Sequence, residues 1–156
     1  MKLNTIIIIG TEPPCPRCGL LLNIIEERIK ELKINSAIVR HFAYDTDEAA
    51  EIAAFHGLTP GTAKNVATIL GEKIDASALE NIIQKESTDY RHEFHVYNKH
   101  RWSPALDQFL RPYELKSQEL GIMMTPVLVI NGSIIHQGSL PKLASIDKWL
   151  YELPVI

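Results

Sequence analysis

The sequence predicts a single α/β domain in the order βαβ, helical insertion, ββα, with a four-stranded mixed sheet flanked by helices. Three observations carry that prediction. The β-branched run Ile6–Ile9 leads into an amphipathic helix; Asn131-Gly132 stands between two aliphatic segments near the end; and the middle third is a series of short helices cut by glycines. With 156 residues, 46% of them apolar and 22% charged, the chain has the composition of one folded domain with its own core. Lys and Arg number 16 against 19 Asp and Glu, so the net charge of -3 supplies no general attraction for nucleic acid or an anionic membrane, and neither is expected as a partner. The longest aliphatic run is far below a membrane span, and only Lys2 could serve as a signal-peptide n-region, so a cytoplasmic protein is expected.

The first strand is read at Leu3 to Gly10, a short aliphatic run closed by glycine. From about Pro16, Leu21, Ile25, Ile29 and Leu32 recur on one helical stripe, with Asn23, Glu26, Glu27 and Lys30 away from it. Ala37 to Tyr44 is the second strand, with Asp45 and Asp47 as turn and cap residues. The insertion, residues 46–102 within the 1–156 domain, is predicted to hold several helices. One is alanine-rich and ends at Gly57, and one starts from a Thr59-Pro60 cap and carries Val66, Ile69 and Leu70. A third opens on a Ser77–Glu80 capping box, and a fourth is capped by Ser87-Thr88-Asp89 with Tyr90, Phe94 and Tyr97 on one face. Ser103-Pro104 opens a further helix closed by Gly121; Val127–Ile130 and Ser133–His136 form a hairpin; and Leu143, Ile146, Trp149 and Leu150 mark the last helix.

The cysteines are two, Cys15 and Cys18, a spacing that chance would produce in about 1 such chain in 80. A disulfide across so short a loop removes little denatured-state entropy, so their value is expected to be chemical. At the junction of a buried strand and a helix, Cys15 would meet the unpaired first amides of the helix and the positive end of its dipole. Both favour thiolate and lower its pKa below the usual ~8.5. Pro16 suits the first helical turn, and Arg17 adds positive charge nearby. Cys18, one turn on, could attack a mixed disulfide on Cys15 and release the partner.

A strand, Cys15-Pro16-Arg17-Cys18 at a helix start, a distant Thr125-Pro126 before a hairpin strand, then Asn131-Gly132, Gly138 and a closing helix resemble the thioredoxin superfamily. The resemblance covers residues 1–44 and roughly 103–153. It implies a thioredoxin-like fold in which Cys15 is the nucleophile, Cys18 the resolving cysteine and Pro126 a cis-proline facing them. Thr125, Pro126, Pro16 and Arg17 are then the substrate-binding residues. The closing stretch is similar to small prokaryotic redox-disulfide proteins, the cysteine motif to glutaredoxins, and the helical insertion to the DsbA-like architecture. Two departures stand out: Pro14 replaces the tryptophan that precedes the first cysteine in thioredoxins, and Gly138-Ser139-Leu140-Pro141 replaces the glutathione-holding Gly-Gly-x-Asp of glutaredoxins.

The expected activity is thiol–disulfide exchange with protein or small-molecule disulfides and thiols, fed by an unidentified reductant and using no organic cofactor. The alternative is a metal or metalloid binding module built on the same two thiols, for which further ligands would come from histidines or a second chain. His92 and His95, three apart on a predicted helix, are the nearest candidates, but a surface or capping role is the simpler reading and no metal ligand is assigned. Arg91, His92, Lys99, His100 and Arg101 with Tyr97 and Trp102 are read as a solvated face over a buried aromatic stripe.

Overall fold

A computed structural model describes residues 3–86 and 91–154, which hold six strands and six helices. The main sheet has the order β2-β1-β5-β6, from β1 (Asn4–Gly10), β2 (Ala37–Ala43), β5 (Val127–Ile130) and β6 (Ser133–Gln137). β2 runs parallel to β1, β5 antiparallel to β1, and β6 antiparallel to β5, so the sheet is mixed as predicted. β1 is flanked by strands on both edges and covered on both faces, which explains its unbroken aliphatic run. Alternation sends Ile6 and Ile8 to one face and Ile7 and Ile9 to the other.

The larger core lies on the Ile6 and Ile8 face. α1 (Pro16–Glu31) brings Leu20, Leu21, Ile24 and Ile25 to it, α5 (Pro104–Ser117) brings Leu106 and Leu110, and α6 (Leu143–Tyr151) brings Ile146 and Leu150. The smaller core opposes α2 (Asp47–Phe55), whose Ala49 and Ala53 let the helix lie close against Ile9, Val127 and Val129. The hairpin between β5 and β6 turns on Asn131 and Gly132, both at positive φ (49 and 84), the backbone that this dipeptide favours. Among the described residues no helix is long and apolar enough to cross a membrane.

The insertion departs from its prediction in several places. Thr59-Pro60 does not cap a helix: Thr59–Gly61 is a short strand, β3, paired in parallel with β4 (Ile122–Met124). The capping passes to Thr62, whose side chain and that of Asn65 close a reciprocal box at the start of α3 (Ala63–Ile69). Val66 is buried there, whereas Ile69 and Leu70 are exposed. α2 is capped by Thr46 rather than Asp47, and α4 (Ala76–Glu86) by Asp75, whose Oδ1 accepts from the Ala78 amide at 3.1 Å. The predicted Ser87-Thr88-Asp89 cap and Tyr90 lie outside the described residues; from Arg91 to Tyr97 the chain forms turns instead of a helix. Phe94 and Trp102 are buried there, their rings edge to face at 5.4 Å. Two of these helices and that turn join the larger core through Val66, Leu79, Ile83, Phe94 and Trp102.

Candidate active site

β1 ends at Gly10 and the chain turns through Thr11–Pro14 into α1. Thr11 Oγ1 accepts from the Cys15 amide at 2.8 Å and donates to the Pro13 carbonyl at 2.9 Å, so the turn delivers Cys15 to the helix start. Cys15 is the N-cap residue and Pro16 opens the first turn, where a missing N–H costs nothing. The Cys15 sulfur accepts from the Cys18 amide at 3.4 Å and lies 3.0 Å from the Cys18 sulfur. Gly10 permits this approach: a Cβ on it would fall 2.6 Å from Cys18 Sγ.

The two thiols are driven apart in acidity. The Cys15 pKa falls from 9.0 to about 6 because the Cys18 thiol donates to its thiolate; the Cys18 and Arg17 amides and the Arg17 charge also lower it, against an opposing effect of burial. Cys18, fully buried, is pushed well above 9.0 by the same sulfur pairing and then by burial. Cys15 is partly exposed, so the ionised sulfur is also the accessible one.

Arg17 lines the groove beside Cys15 and is held from beneath. The residue is only 4% exposed, and its guanidinium is fixed by buried partners. Nη1 donates to Asp107 Oδ1 at 3.0 Å and to the Gly138 carbonyl at 2.7 Å, and Nη2 to the Thr125 carbonyl at 3.0 Å. Asp107 in turn accepts from the Leu140 amide at 3.1 Å. Four stretches of chain thus converge on one buried cation: the start of α1, α5, the Thr125 segment and the loop after β6. The Thr125–Pro126 bond is cis, as is Glu12–Pro13.

Thr125 and Pro16 join Cys15 along an apolar groove of about 360 Å³ whose far wall is Ile74, Leu79, Ile83, Leu106 and Leu110. Pro126 is buried and does not line it. His92 and His95 lie far from helical geometry, on a turn in which His95 Nδ1 lies 3.2 Å from the His92 carbonyl. Among the described residues no group of three or more His, Cys, Asp and Glu is arranged to hold a metal ion. The basic-aromatic segment is packed onto α1, with Gly19 leaving room for the His100 ring and Asn23 donating to the Tyr97 carbonyl. Sequence reasoning missed the roles of Asp107 and Gly10, which no local pattern marks.

A mixed sheet of this order, with a Cys-x-x-Cys at the start of the helix that follows its central strand, defines a thioredoxin-like α/β protein. The family model described as a thioredoxin domain matches residues 110–151, from α5 through α6, and supports membership of the thioredoxin superfamily. That stretch includes Thr125 and Pro126 but neither cysteine. No curated protein matches the chain.

Proposed function

We propose that the protein is a thiol–disulfide oxidoreductase in which Cys15 is the nucleophile and Cys18 the resolving cysteine. The observation that carries this reading is the opposite acidity of two sulfurs 3.0 Å apart at a helix start: one is a partly exposed thiolate at neutral pH, the other a buried thiol. Cys15 attacks a partner disulfide, forms a mixed disulfide and expels one partner thiolate; Cys18 then displaces the second and closes the Cys15–Cys18 bond. Two electrons pass from the dithiol to the partner. The cycle needs no organic cofactor, only a reductant to reopen the bond. The apolar groove beside Cys15 suits a polypeptide carrying an aliphatic or aromatic side chain next to its cysteine, with Thr125 and Pro16 beside the reacting sulfurs. A cytoplasmic setting, where thiols are kept reduced, fits this use of the pair.

The test is reduction of insulin with dithiothreitol as electron source. Wild type is expected to accelerate it, Cys15→Ser to abolish the acceleration, and Cys18→Ser to accumulate a mixed disulfide on Cys15 that mass spectrometry can identify. A wild-type rate equal to dithiothreitol alone overturns the reading, and stoichiometric metal in protein purified without chelator then favours the binding module.

A further inference from the structure

The resolving step has a proton to dispose of. Cys18 attacks only as thiolate, yet burial and the adjacent sulfur make it the thiol least able to ionise. The space a side chain on Gly10 would need is filled from two sides: a Cβ there would lie 2.6 Å from Cys18 Sγ and 3.2 Å from His41 Nε2. His41 reaches this point from β2, where it pairs in register with Ile8. Its Nε2 is buried and has no hydrogen-bond partner, an expense that packing alone does not explain. The opposite edge of the ring leads outward, with Nδ1 3.9 Å from Oε2 of the exposed Glu12.

We propose that His41 is the proton acceptor of the resolving step; this rests on the oxidoreductase reading and deepens it. In the mixed disulfide Cys15 no longer accepts from the Cys18 thiol, and His41 Nε2 takes the Cys18 proton, directly or through one water. The thiolate attacks Cys15 Sγ, the Cys15–Cys18 bond forms, and the bond from Cys15 to the partner sulfur breaks. The electron pair of that bond leaves on the partner thiolate, which takes a proton from water. The imidazolium releases its Nδ1 proton toward Glu12 and solvent. When the disulfide is later reduced, the same groups return a proton to the departing Cys18 thiolate. Cys18 from α1 and Glu12 from the turn approach His41 from either side, and Arg40, next to it on β2, is exposed.

Reduced protein mixed with a chromogenic aryl disulfide reports both steps, because Cys15 releases the first coloured thiolate and Cys18 the second. His41→Gln is expected to slow the second release about 100-fold at neutral pH while leaving the first within about 2-fold of wild type. The gap should close as the pH rises toward the ionisation of Cys18 itself. Glu12→Gln, at an exposed position that does not endanger folding, is expected to slow only the second release, by about 3-fold. A second release at the wild-type rate in folded His41→Gln overturns the assignment; if that variant does not fold, a wild-type rate in Glu12→Gln does so. If wild type itself releases a single thiolate, the oxidoreductase reading fails first, an outcome distinct from two releases that are indifferent to His41.

Discussion

Both ends of α1 are tied to another helix by an arginine and an aspartate, and the two ties differ in one respect. Near the N-terminus Arg17 meets Asp107 of α5 at 3.0 Å; near the C-terminus Arg28 meets Asp147 of α6 through two contacts of 2.8 and 2.9 Å. The side chains of the first pair are 5% and 9% exposed, those of the second 18% and 26%. Water and salt screen the second, which also shares Arg28 with Glu31 and the Tyr97 hydroxyl. The first is cut off from water, carries a loop amide and two carbonyls with it, and places a positive charge where it favours the Cys15 thiolate. Similar contact distances therefore conceal unequal consequences, which burial decides.

The harshest way to break this comparison is Asp107→Ala. It strands a buried guanidinium with only two carbonyl partners and deprives the Leu140 amide of its acceptor, so a loss of about 3 kcal/mol is expected from urea unfolding. A loss below that of any change at Asp147 would show that the buried tie is not the stronger one. The sharper variant is Arg17→Met with Asp107→Leu, which removes both charges and keeps the volume. Stability should recover to within about 1 kcal/mol of wild type. The alkylation profile of Cys15 should nevertheless move: in wild type its reaction with iodoacetamide rises through about pH 6 as the thiolate forms, and without the Arg17 charge the rise should come at higher pH. An unmoved profile would assign Arg17 to structure alone. The mildest change is Asp147→Asn, expected to cost about 0.5–1 kcal/mol at low salt, less at high salt, and to leave the Cys15 profile where it was.

Why the sequence disclosed some of these residues and not others follows from distance along the chain. Cys15 and Cys18 declare themselves by a spacing of three, and the strand-to-helix junction around them is visible in the switch of hydrophobic period. Asp107 stands 90 residues from the arginine it neutralises, and His41 comes up against Gly10 only because β2 pairs with β1. Neither carries a local pattern. β3 was unreadable for another reason: three residues, one of them proline, have no periodicity, and Thr59–Gly61 is a strand only because Ile122–Met124 lies beside it. In the stretch from Arg91 to Tyr97 aromatic spacing suggested a helix, but contacts of Phe94 with Trp102 and of Asn23 with the Tyr97 carbonyl stabilise a turn instead.

The β3–β4 pairing also bears on how freely the middle of the chain could be exchanged. The last backbone bond along that pair runs from the Thr125 amide to the Gly61 carbonyl at 2.9 Å, so a residue that lines the groove with Cys15 is anchored by the very segment that interrupts the fold. A chimera that grafted a different segment in place of residues 46–102 would leave that amide without its acceptor. The transferable unit is thus the helices alone, cut on the far side of Gly61, with the Thr-Pro-Gly strand left behind in the recipient.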